Sequence, residues 1–192
     1  PMKKRLFAKL VVALFLFVVV DAWAEVVRVE IKTRKPFADG HRFGRSGAYE
    51  AIDGRLYFEV APGDPANARI TDLKHAPRNA RGKVEFWSDF FLLKPVASGM
   101  GNGCLLYDVH NRGNKLALWT FNEGVRTNEP DTMEHAGNGF LLERGYSLLW
   151  TGWNGDVVAD GTGRLLAGLP VAVGPGGKPI TGRNHVEISV DE

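Results

Sequence analysis

The chain has 192 residues, 44% of them hydrophobic and 24% charged, with 24 Lys and Arg against 22 Asp and Glu. The net charge of +2 belongs mainly to the first 24 residues, so the rest of the chain gives no electrostatic argument for nucleic acid or an anionic surface. The single cysteine, Cys104, excludes an intramolecular disulfide; inside the apolar run Cys104-Leu105-Leu106-Tyr107 it reads as a buried small hydrophobe rather than a nucleophile.

The N-terminus carries the three parts of a signal peptide: the positive start Met2-Lys3-Lys4-Arg5, an apolar core from Leu10 to Val20, and the small-x-small end Ala22-Trp23-Ala24. The core is short for a membrane span, which needs about 20 apolar residues. Residues 1–24 are therefore expected to be removed by cleavage after Ala24, delivering a periplasmic or secreted protein with no stable membrane span. The alternative is a retained anchor lengthened by Leu6, Phe7 and Ala8. Cleavage removes Lys3, Lys4, Arg5, Lys9 and Asp21, leaving 168 residues with 20 basic and 21 acidic side chains. That length suits one domain with a sizeable core.

Val26 to Ile31 alternates apolar and polar residues after its first pair, the period of a half-buried strand. Gly40, Gly44 and Gly47 mark a loop. Tyr49 to Val60 then reads as two strand pieces around Asp53-Gly54, a dipeptide suited to the positive φ angles of a tight hairpin. Ile70 to Leu73 suggests a short strand, and Asn79-Ala80-Arg81-Gly82 a turn. Val84 to Leu93 is a strand whose two faces both become apolar towards its end, as in a strand entering an interior.

After the glycine-rich link Ser98 to Gly103, the apolar run Cys104 to Val109 predicts a buried strand ending in the polar loop His110-Asn111-Arg112-Gly113-Asn114. Residues 139–145 predict a short helix capped by Gly145, and Ser147 to Thr151 another strand. Strand, loop, helix, strand is a crossover of the kind that joins parallel strands. The chain thus reads as antiparallel first and parallel second. Beyond Asp156, glycines separate strand-like pieces at Leu169–Val173 and His185–Val190.

Three segments together resemble the family of exported α/β-hydrolase-domain proteins. They are Gly47-Ala48-Tyr49-Glu50 with Gly54-Arg55-Leu56-Tyr57-Phe58, then Leu105-Leu106-Tyr107-Asp108-Val109-His110-Asn111-Arg112-Gly113, and Gly137-Asn138-Gly139-Phe140-Leu141-Leu142-Glu143-Arg144-Gly145-Tyr146 leading into Trp150-Thr151-Gly152-Trp153. The resemblance implies an α/β hydrolase-like fold, N-terminal part. A β-rich antiparallel region at 25–97 would precede the start of the core at 98–160, itself a strand–loop–helix–strand unit, followed by a β-rich insertion at 161–192. It also implies a serine hydrolase of small-molecule esters or amides; no cofactor or metal is expected.

In that arrangement one oxyanion-hole N–H comes from the loop after an early core strand, the position of Asn111, Arg112 and Gly113. A glycine there lets a backbone donor approach the substrate closely. The other reading is that Asn111 and Gly113 simply turn the chain while Arg112 pairs with a carboxylate, and His110 is a loop residue rather than a base. The family's nucleophile sits on a Gly-x-Ser-x-Gly elbow, followed in the chain by an acid and a histidine. Ser46, Ser88, Ser98, Ser147 and Ser189 occupy no such elbow. The expectation is an N-terminal portion, inactive by itself.

Other chemistries find less support. In Gly174-Pro175-Gly176-Gly177-Lys178-Pro179 the glycine spacing is wrong for a phosphate loop and Pro179 replaces the magnesium-binding hydroxyl. His41, His75, His110, His135 and His185 lack ligand spacing. A rival is a non-catalytic, exported β-rich module that binds carbohydrate or an envelope partner through Trp87, Trp119, Trp150 and Trp153, although core packing accounts for most large aromatics.

Overall fold

A computed structural model describes residues 25–183, 185 and 186. The leader lies outside the described residues, as does most of the expected strand His185–Val190. A β-rich mixed sheet organises the rest. Its strands are β1 (Glu25–Pro36), β2 (Tyr49–Val60), β3 (Val84–Pro95), β4 (Leu105–Tyr107), β5 (Ser147–Thr151) and β6 (Ala167–Gly168). The helices are few and short: α1 (Ala117–Asn122), α2 (Met133–Ala136) and α3 (Phe140–Glu143).

The sheet order is β1-β2-β3-β5-β4, with β6 beside β3. The first three strands are antiparallel, β5 joins β3 antiparallel, and β4 joins β5 in parallel. The antiparallel-then-parallel reading is thus borne out, and the crossover between β4 and β5 carries all three helices. Gly145, at φ +78°, ends α3 by donating to the Leu142 carbonyl.

Four expectations need correction. Asp53-Gly54 makes no hairpin; it lies inside the unbroken β2, paired with Thr33 and Ile31 on one side and Phe91 and Phe90 on the other. Glycine serves there for close approach, since a Cβ at Gly54 would sit 2.0 Å from the Glu30 carbonyl oxygen and 2.8 Å from the Phe90 ring. Ile70 to Leu73 is a turn entering a 3-10 helix at Leu73–His75. The strand expected at Leu169–Val173 falls earlier, at β6, leaving Val173 in an isolated bridge with Pro179. Finally, β4 is an edge strand rather than a buried one, so Leu105, Tyr107 and Cys104 are exposed.

The core lies between the helices and one face of the sheet. Phe37, Tyr49, Ala51, Phe91, Leu93, Leu148 and Trp150 pack there against Leu118, Ala136, Leu141 and Leu142. Tyr49 is fully buried, and its hydroxyl lies 3.0 Å from the Leu142 carbonyl and 2.9 Å from that of Tyr146, tying β2 to the end of α3. Burial pushes that phenol up to about 12. Asn122, also fully buried, donates to the Ala136 carbonyl and accepts from the Leu141 N–H, so one amide joins α1, α2 and α3.

Candidate functional site

Because β4 and β5 run parallel, with Tyr107 beside Leu149, their carboxyl ends open on the same side of the sheet. Ligand sites of open α/β sheets gather at such ends. The loops leaving them, residues 108–114 and 152–156, are bound together by side chains.

Asp108 follows β4 directly, and its N–H extends the ladder to the Leu149 carbonyl. Its Oδ2 accepts three hydrogen bonds: from the N–H groups of Leu116 and Ala117, at 3.1 and 2.9 Å, and from Trp150 Nε1 at 2.5 Å. One carboxylate therefore caps α1 and anchors the tryptophan at the centre of the core.

His110 is 2% exposed. Its Nε2 lies 2.7 Å from the Thr151 carbonyl, and its Nδ1 accepts the Gly113 N–H at 2.7 Å. These partners assign a neutral ring protonated at Nε2. Burial, the largest influence, holds its pKa below the ordinary histidine value despite the Thr151 carbonyl and the Asp108 carboxylate. With both nitrogens engaged, His110 acts as a pin between the β4 loop and the end of β5. Trp153 adds a second pin through Nε1, which donates to the His110 carbonyl at 3.0 Å.

The candidate residues Asn111, Arg112 and Gly113 form the tip of this loop. The Asn111 carbonyl accepts from the Asn114 N–H and side-chain amide. Arg112 and Gly113 both have positive φ, +50° and +84°. Gly113 is required: a Cβ there would lie 2.8 Å from the Leu165 carbonyl oxygen, and Leu165 N–H donates to the Gly113 carbonyl. The Arg112 guanidinium bonds Asp156 at 2.8 Å, the carboxylate pairing of the turn reading. Gly113 gives its N–H to His110, whereas the Arg112 N–H meets no acceptor among the described residues.

Just beyond the loop, Lys115 is 6% exposed and donates through Nζ to the carbonyls of Asn128 and Gly163, at 2.5 and 3.0 Å. Burial lowers its pKa to about 8. Lys115 borders a cleft of about 500 Å³ in which Lys32 pairs with Asp89 and Lys35 with Asp131, and which Asp53 and Glu129 also line. A larger cavity, about 800 Å³ between Arg28, Tyr57, Trp87 and Pro170, shares no lining residue with the β4 loop.

The tryptophans divide. Trp150 is fully buried, Trp87 lies under the Arg55 guanidinium at 3.5 Å, and Trp119 and Trp153 are about half exposed. Sequence reasoning placed the loop but missed the roles of Asp108, His110 and Lys115. An acidic residue closing an apolar strand was the available signal for Asp108. No protein-family model matches the chain, nor does any curated protein or solved structure.

Proposed function

We propose that the chain is the N-terminal portion of an exported α/β-hydrolase-domain protein, a serine hydrolase of small-molecule esters or amides when complete. The observation that carries this reading is the loop after β4. Next to a parallel strand pair, His110, Trp153 and Arg112 fix it in place, and the Arg112 N–H at its tip has no acceptor among the described residues. A preorganised backbone donor of this kind, about 3 Å from a developing oxyanion, stabilises the tetrahedral intermediate of acyl transfer. On this reading the chain contributes that donor and the supporting sheet, while serine, acid and histidine come from residues outside these 192. The leader pattern supports export, with the working chain starting at Glu25.

A serine-directed fluorophosphonate tests the proposal, applied to the product of the whole reading frame and to the 192-residue chain. The whole product is expected to label on a serine within a Gly-x-Ser-x-Gly elbow, and the shorter chain not at all. Labelling of the shorter chain, or none of the whole product, overturns the reading. N-terminal sequencing of protein recovered outside the cytoplasm should begin at Glu25; a start within residues 2–9 would show a retained leader.

A further inference from the structure

We propose that two copies of this protein associate through β1, the strands pairing antiparallel about a two-fold axis at Val29. All twelve residues of β1 are exposed, and β1 pairs only with β2, so its other edge is open among the described residues. Val29 and Ile31 are 56% and 55% exposed, an unusual load of apolar surface for an unpaired edge. Register shifts at Val26/Arg28 and Ile31/Thr33 leave a regular stretch from Arg28 to Ile31. Within it the faces are sharply divided. Val29 and Ile31 stand opposite Leu56 and Gly54, while on the other face Arg28 stacks over Tyr57 and Glu30 accepts the Tyr57 hydroxyl at 2.8 Å.

Charge complementarity selects both the partner and the register. A two-fold axis perpendicular to the sheet keeps each face continuous, so opposed residues must share a face and the axis must pass through a residue. An axis at Arg28 opposes two arginines. One at Glu30 opposes two glutamates and sets Arg28 against Lys32. One at Ile31 sets Glu30 against Lys32 but cancels that gain by setting Arg28 against Arg34, and it brings Lys32, at the register shift, into the ladder. Only the axis at Val29 sets Arg28 against Glu30 of the second copy, twice by symmetry, with Val29 against Val29, and it does so entirely within the regular stretch. Opposite charges and apolar pairs directly across a ladder stabilise it, and like charges do the reverse. This surface is independent of the hydrolase reading.

Sedimentation equilibrium of the purified protein over the micromolar range tests it. A dimer is expected. Arg28→Glu and Glu30→Arg should each raise its Kd roughly tenfold, because each change converts two symmetry-related attractions into repulsions and also breaks the Arg28–Glu30 pair, 2.9 Å apart, within each copy. The exchanged pair Arg28→Glu with Glu30→Arg should restore it. In a Cys104→Ser background, Val29→Cys should form a covalent dimer with copper phenanthroline as oxidant, since cross-strand Cα atoms lie about 4.5–5.5 Å apart. A monomeric wild type overturns the proposal. So does a dimer indifferent to single charge reversal, or one that the exchange leaves weakened.

Discussion

His110 should make the stability of this protein fall on mild acidification. Its ring nitrogens engage the Thr151 carbonyl and the Gly113 N–H, and burial keeps its folded-state pKa below the ordinary value of 6.5. In the unfolded chain the ring takes up its proton near that ordinary value. Between it and the depressed folded value the unfolded state binds more protons, so stability is present above pH about 6.5 and is lost below it. The limiting slope for one such group is about 1.4 kcal/mol per pH unit. Protonating Nδ1 also deprives the Gly113 N–H of its acceptor, which couples the titration to the candidate loop. His110→Leu leaves the Gly113 N–H and Thr151 carbonyl without this partner. At about 1–3 kcal/mol for each buried orphan, and with Thr151 only half-buried, the expected loss is about 2–4 kcal/mol at neutral pH. Urea unfolding followed by tryptophan fluorescence, from neutral pH to about pH 5, measures both effects. Equal pH slopes for wild type and His110→Leu, or a loss well under 1 kcal/mol, would refute the assigned role.

Lys115 predicts the opposite end of the pH range: its folded-state pKa of about 8 lies below the ordinary 10.5. Stability should therefore rise as pH climbs between those values, by up to about 3 kcal/mol, and Lys115→Met should abolish the rise in denaturant titrations. Glu50 is held down to about 2, first by the Arg34 hydrogen bond and then by Lys94. Its contribution is complete above pH about 4.5 and disappears towards pH about 2; allowing for the exposure of Arg34, Glu50→Gln should cost about 1–2 kcal/mol at neutral pH by chemical denaturation. Gly54→Ala should destabilise by about 3 kcal/mol or more in the same assay, because its Cβ meets the Glu30 backbone. A smaller loss would show that β1 shifts easily.

What was legible in the sequence was short-range. The two-residue period announced β1 and β3, the apolar run Ser147 to Thr151 announced β5, and the apolar run Cys104 to Val109 located both β4 and the candidate loop. Where local chemistry had two uses, the tertiary setting decided. Asp53-Gly54 suits a hairpin, yet β1 and β3 pair with it simultaneously, and glycine becomes a clearance device. The helices α1 and α2 passed unseen because six- and four-residue segments leave little periodicity and part of their support is remote. Asp108 caps α1 from across a loop, and Asn122 supplies hydrogen bonds to α2 and α3. The site follows the same rule. His110 meets Thr151 across 41 positions and Arg112 meets Asp156 across 44, so neither contact has a local signature. It is β5, inserted between β3 and β4, that converts a generic Asn-Arg-Gly turn into a pinned loop. Gly113 then serves the scaffold through both its carbonyl and its N–H, and Arg112 serves it through the guanidinium that bonds Asp156.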